Sequence, residues 1–112
     1  MIKLIVAVRR NPARSPAQFH DYWRNDHARK VRALAACRRY IRRYVQARTL
    51  ASNYANGEPS FDGTAELWFD SIADKDAFYP DPDYLASVAP DERVFADMAG
   101  TRFFVTHEER II

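Results

Sequence analysis

Apolar residues run from Ile2 to Val8 (IKLIVAV), interrupted only by Lys3, and Arg9-Arg10-Asn11-Pro12 ends the run. A short β-branched stretch of this kind predicts a strand buried on both faces. Ser15-Pro16-Ala17-Gln18 then has the form of a helix start. Ser15 can cap, Pro16 stands where its missing N–H costs nothing, and Gln18 closes a capping box. The period changes from there. At about 100° per residue, Phe19, Trp23, His27, Lys30, Val31 and Leu34 share one side of a helix. Asp21, Asn25, Arg29 and Arg32 lie opposite. The pattern predicts a helix ending near Ala35 or Ala36.

Cys37 to Thr49 (CRRYIRRYVQART) is rich in tyrosine and β-branched residues and predicts a second strand. Alternation puts Tyr40, Arg42, Tyr44 and Gln46 on one face, with Ile41, Val45 and Ala47 on the other. Residues 51–63 (ASNYANGEPSFDG) are turn formers and predict a long loop. Thr64 to Asp70 predicts a third strand, with Glu66 and Trp68 on one face and Ala65, Leu67 and Phe69 on the other. Residues 71–99 read as helix in pieces, interrupted at Pro80, Pro82 and Pro90. Asp81-Pro82-Asp83-Tyr84 and Ala89-Pro90-Asp91-Glu92 resemble helix starts, their acids placed at the positive end of the dipole. Thr101 to His107 predicts the last strand.

The order β-α-β-β-α-β is the split βαβ of the ferredoxin-like fold, an α+β architecture with an antiparallel sheet, here predicted as one domain over residues 1–112. Helices cover one face of such a sheet. The other would carry Tyr40, Tyr44, Glu66 and Trp68, which is too aromatic a surface to leave in water. Two sheets packed face to face would hide it, which predicts a homodimer.

Composition narrows the partners. At 47% hydrophobic and 29% charged residues over 112 positions, the chain is that of an ordinary globular protein, small enough to gain from oligomerising. A net charge of +2 implies no polyanionic partner. RRYIRRY interleaves arginine with tyrosine as nucleic-acid binders do, but strand alternation splits the arginines between two faces, so no nucleic acid is expected. The single cysteine, Cys37, excludes an intrachain disulfide and suits a reducing cytoplasm. No apolar run approaches the roughly 20 residues that span a bilayer, so no membrane partner is expected. MIKLIVAVRR reads as a strand and not as a signal peptide. With three glycines and no phosphate-binding loop, a nucleotide cofactor is not expected either. His20 and His27 stand two helical turns apart, roughly 10 Å, too far to share a metal ion.

His27 is the foremost candidate for chemistry. A neutral imidazole with an ordinary pKa of about 6.5 can take or give a proton near neutrality. Its position near the end of an apolar stripe also suits a core histidine satisfied by a backbone carbonyl, and both readings stand at this point. Asp26 is about 100° away around the helix and is a poor orienter. Glu66 is the more credible carboxylate partner, unless it forms an ion pair with an arginine such as Arg42. Trp68, Tyr44 and Arg42 are candidate substrate-binding residues, the two aromatics as walls for a flat apolar molecule.

MIKLIVAVRRNPARSPAQFHDYWRNDHA, RRYIRRYVQ, AELWFDS and FFVTHEE, taken together, resemble the EthD family of dimeric α+β barrel proteins. The features shared are the Trp-x-x-x-His pair Trp23 and His27, a tyrosine opening strand two, and the Glu-x-Trp-Phe strand. The resemblance implies a homodimer with a small-molecule pocket inside each half of a barrel. Relatives of that barrel include methylmuconolactone methylisomerase, aromatic polyketide cyclases and cofactor-free monooxygenases. The methylisomerase has a pocket histidine, tyrosine and tryptophan where this chain has His27, Tyr40 and Trp68, but its cysteine is replaced here by Leu67. On this footing His27, Tyr40 and Glu66 are expected as catalytic groups, acting without a cofactor on a hydrophobic ring or lactone-like metabolite. The expected reaction is an isomerisation, cyclisation or dehydration. The alternatives are a non-catalytic accessory subunit of a degradative oxygenase system and a cofactor-free monooxygenase.

Overall fold

The computed structural model describes residues 1–112. Strands β1 (Ile2–Val8), β2 (Ile41–Arg48), β3 (Gly63–Phe69) and β4 (Arg102–Thr106) form one antiparallel sheet in the order β2-β3-β1-β4. With the helices between them, this is the ferredoxin-like α+β fold that the element order predicts. No helix is long and apolar enough to cross a membrane.

The predicted first helix has more internal structure than its periodicity suggests. Helix α1 (Pro16–Tyr22) starts at the Ser15 capping box, with the Ser15 hydroxyl accepting from the Gln18 N–H and the Gln18 side chain accepting from the Ser15 N–H. A π turn (Trp23–His27) follows, and α2 (Ala28–Ala33) resumes α geometry. Leu34 then adopts extended backbone, ψ 132°, and α3 (Ala35–Tyr40) begins. Residues 37–40 are thus helical and not the start of a strand. Ala35, Ala36, Arg38 and Arg39 are good helix formers, and propensity prevails until Ile41. The predicted loop at 51–63 contains a short helix, α4 (Ala51–Tyr54). Between β3 and β4 lie α5 (Ile72–Phe78), a second π turn (Tyr84–Val88) and α6 (Ala89–Phe95).

The core lies between the helices and one face of the sheet. Phe19, Trp23, Val31 and Leu34 from the first helical run meet Leu4, Val8, Ala65, Leu67 and Phe69 from the strands, with Phe78, Val88 and Phe95 above them. Each such side chain contributes about 1.5–3 kcal/mol on burial. Gly63 sets the closest approach: a Cβ there would meet the Ala47 carbonyl oxygen at 2.6 Å and the Trp23 ring at 2.7 Å.

Strand β2 departs from simple alternation. Its register with β3 shifts between Ile41 and Arg43, so Ile41 pairs with Phe69, Arg43 with Trp68, Tyr44 with Leu67 and Val45 with Glu66. A bulge of one residue inverts the phase of the strand. Directly paired residues share a face, so Tyr44 turns to the helices with Leu67, while Arg43 and Val45 turn outward with Trp68 and Glu66. Tyr40, Tyr44, Glu66 and Trp68 therefore do not form the single surface expected from alternation. The outer face carries instead Ile5, Val45, Trp68 and Phe104. Lys3 and Arg43 flank Trp68, at 4.9 Å and 4.7 Å from its ring. Phe104 remains 50% exposed.

Candidate functional site

His27 closes the first π turn and is buried. Its Nδ1 lies 2.9 Å from Oδ2 of Asp91, in the first turn of α6, whose side chain is only 2% exposed. The other oxygen of Asp91 accepts from Lys30 Nζ at 2.8 Å and from the Tyr22 hydroxyl. Burial alone would push the Asp91 carboxyl up, but the hydrogen bonds from Lys30, Tyr22 and His27 hold it below the usual carboxylate range. An ionised carboxylate only accepts, so it fixes the neutral His27 tautomer with the proton on Nδ1 and the lone pair on Nε2. Burial pushes the His27 imidazolium pKa down, and this outweighs the opposing pull of Asp91. The imidazole is a free base at neutral pH. Its Nε2 makes no hydrogen bond within the chain, and the ring borders a cavity.

That cavity, about 60 Å³, lies between helices and sheet, and its lining is hydrophobic apart from His27, Glu92 and Thr101. The Thr101 hydroxyl is already committed, donating to the Asp97 carbonyl and accepting from the Arg9 N–H. Both π turns contribute their end residues to the wall, Trp23 and His27 from one, Tyr84 and Val88 from the other. Strand β2 is tied to the first of these turns: the Gln46 amide donates to the Trp23 carbonyl at 2.9 Å and to the Tyr44 hydroxyl at 3.2 Å. Burial raises the pKa of Tyr44, which lines the cavity as a neutral hydroxyl. An apolar cavity that takes benzene has about 150 Å³, so a six-membered ring requires the walls here to yield. Phe103, on the edge strand and 52% exposed, and the unbranched Met98 are placed to do so.

Of the residues singled out from sequence, the structure brings His27 and Tyr44 together on this cavity. The bulge that turns Tyr44 inward leaves Trp68 and Glu66 on the opposite face of the sheet, where Glu66 pairs with Lys3 at 3.0 Å. Tyr40 ends α3, its ring 5.1 Å from the Arg39 guanidinium, and does not line the cavity. Arg42 points outward to Asp70 at 2.9 Å. His20 lies apart, its Nε2 3.3 Å from the Tyr54 hydroxyl, which in turn donates to the buried Asp62.

The sequence reading missed Asp91, Glu92, Lys30 and Tyr22 as site residues. By pattern alone Asp91 and Glu92 are ordinary first-turn acids. A signal was there, because Tyr84, Val88, Asp91 and Phe95 recur at helical spacing and all four are buried. An acid on an apolar stripe requires a partner.

Solved structures with this fold support the architecture. An EthD family protein from Bacillus halodurans is 21% identical with a TM-score of 0.71, covering 97% of this chain and 99% of that one. A dimeric protein of unknown function from Bacteroides fragilis, with a ferredoxin-like fold, is 15% identical with a TM-score of 0.69, covering 96% and 95%. SnoaB, a cofactor-independent oxygenase from Streptomyces nogalater, is 10% identical with a TM-score of 0.65, covering 99% and 95%. No curated protein matches the sequence. Residues 11–99 match the EthD domain, and with most of its length inside that match the chain belongs to the EthD family.

Proposed function

We propose that this protein is a cofactor-independent acid–base enzyme that holds a small hydrophobic molecule beside His27 and moves a proton on it. One observation carries the reading: His27 is held through Nδ1 by a buried carboxylate, while its unbonded second nitrogen belongs to a ring bordering an apolar cavity. A positioned base of this kind contributes about 10²–10⁴-fold to a proton transfer. Asp91 positions and orients, His27 transfers the proton, and Tyr44 is available to hydrogen-bond an oxygen of the substrate. Isomerisation, cyclisation and dehydration all begin with such a transfer. The likeness to SnoaB favours a second reading, cofactor-free oxygenation, in which the same base deprotonates an electron-rich substrate before it meets oxygen.

The outer sheet face, with Ile5, Val45 and the half-exposed Phe104, is proposed as the homodimer surface, in keeping with the dimeric neighbour.

The test is exchange of the protons α to the carbonyl of 2-cyclopentenone in D₂O, followed by ¹H NMR. The protein should accelerate exchange over buffer, and His27→Gln should abolish the acceleration. Exchange unaffected by that substitution overturns the proposal, and oxygen uptake with a phenolic substrate would favour the second reading.

A further inference from the structure

Glu92 is the one carboxyl group on the wall of the His27 cavity. It follows Asp91 on α6, yet its surroundings are the opposite of those of Asp91. Asp91 is held by lysine, tyrosine and histidine. The hydrogen bond made by Glu92 comes from the Tyr84 hydroxyl, and no lysine or arginine lines the cavity. The nearest cation along the chain, Arg93, is exposed. Tyr79 and Tyr84 stand beside it with rings 5.1 Å apart, and Tyr44 shares the same wall.

A carboxyl partly withdrawn from water without a counter-ion holds its proton more tightly. Burial pushes Glu92 above the usual carboxylate range, and Asp91 next to it pushes the same way. The hydrogen bond from Tyr84 and the charge of Arg93 pull in the other direction without reversing the shift. In the neutral acid one oxygen accepts from Tyr84 and the other, which makes no hydrogen bond within the chain, can carry the proton.

We propose that Glu92 is the proton donor of this site and that the cavity takes an uncharged carbonyl compound with an enolisable C–H. This deepens the reading above and rests on it. Nε2 of His27 removes the C–H proton, the C–H electron pair forms the new C=C bond, and the carbonyl π pair takes the Glu92 proton on oxygen. The products are an enol, an imidazolium and a Glu92 carboxylate. Return of the imidazolium proton to the far carbon of a conjugated enol, with the enol O–H proton going back to Glu92, completes an allylic isomerisation with no net gain or loss of protons. An anionic substrate is disfavoured, because the lining offers no cation to neutralise it.

Three infrared and exchange measurements on the intact protein decide the matter. In the ligand-free protein carrying ¹³C-labelled glutamate, a protonated-carboxyl band should be present at pH 7 and disappear in Glu92→Gln. With 2-cyclopentenone added, its carbonyl stretch should move to lower wavenumber in the wild type and in His27→Gln, and return toward its apolar-solvent position in Glu92→Gln. Glu92→Gln should also slow α-proton exchange by about 10²-fold or more. Absence of the carboxyl band overturns the inference whether or not the ketone binds. Exchange lost in His27→Gln but untouched in Glu92→Gln, with the carbonyl shift intact, overturns the role of Glu92 alone. Exchange indifferent to His27 overturns the base assignment, and the carboxyl band and carbonyl shift then judge Glu92 on their own.

Discussion

Replacing Asp91 by Asn removes one charge and almost no volume, so its effect isolates what the carboxylate does. Three donors converge on it, from His27, Tyr22 and Lys30. A hydrogen bond to a charged group contributes about 1.5–3 kcal/mol and a neutral one about 0.5–1.5 kcal/mol. Neutralising the acceptor therefore costs about 1–1.5 kcal/mol at each of the His27 and Tyr22 bonds. The Lys30 side chain is 46% exposed, and solvent screens its share. The sum is about 2–3 kcal/mol, which in a domain of this size lowers the melting temperature by about 8–12 °C.

The same substitution changes chemistry. An amide can turn its N–H₂ toward Nδ1, which moves the histidine proton to Nε2 and leaves the ring without a free basic nitrogen. Ring ¹⁵N shifts should show the wild type protonated on Nδ1 and the variant on Nε2, and any base-catalysed exchange should fall by about 10²–10⁴-fold. The Asp91 pKa is depressed in the fold, so its stabilisation is present above the ordinary value of 3.8 and is lost as pH falls through the depressed one. The gap between wild type and variant should thus persist at pH 5 and close only in stronger acid. An unchanged melting temperature with the Nδ1 tautomer retained would refute the reasoning.

Gly63→Ala should destabilise by about 1–3 kcal/mol through overpacking, read as a lower urea midpoint, because the new methyl collides with the Ala47 carbonyl and the Trp23 ring. Glu92 and His27 should tilt the pH–stability curve in opposite directions. The raised Glu92 pKa gives stability present below 4.5 and lost as pH rises through the folded value, so Glu92→Gln should gain on the wild type as pH rises above 4.5 in thermal melts. The lowered His27 pKa makes the native state bind fewer protons than the unfolded one, so stability falls as pH drops below 6.5, and His27→Gln should flatten that limb. Phe104→Glu on the outer face should give the monomer mass by light scattering, and a retained dimer would move the interface elsewhere.

Much of this was legible along the chain. The Ser15 capping box, the buried stripe of Phe19, Trp23, His27 and Val31, and the alternation of β3 all stand as the residue pattern implies. What failed was phase. No glycine or proline marks the bulge between Ile41 and Arg43, and an Arg-Arg pair reads the same in either register. One unmarked residue was enough to send Tyr44 to the cavity and to leave Trp68 and Glu66 outside it. The α3 helix was hidden for a different reason, since Ala35 to Tyr40 sits between a helix and a strand and its propensity fits the first while its aromatic end suits the second.

The proposed pair was hidden by distance, since His27 and Asp91 are separated by 64 positions. Each is a polar group on an otherwise apolar helical stripe, and neither stripe explains its own exception. Taken together they explain each other: an imidazole and a carboxylate set into the buried sides of two helices are satisfied where the helices meet, with Lys30 reaching the same carboxylate from its exposed side. Such a set is a poor way to gain stability, because apolar residues of similar volume commonly do as well or better. What the charges achieve that leucines could not is a fixed direction for His27, with one nitrogen bonded and the other left free beside an apolar cavity. A fold that accepts the desolvation of a carboxylate and then leaves the second imidazole nitrogen unbonded gains little in packing from it, and that favours the proposed proton transfer.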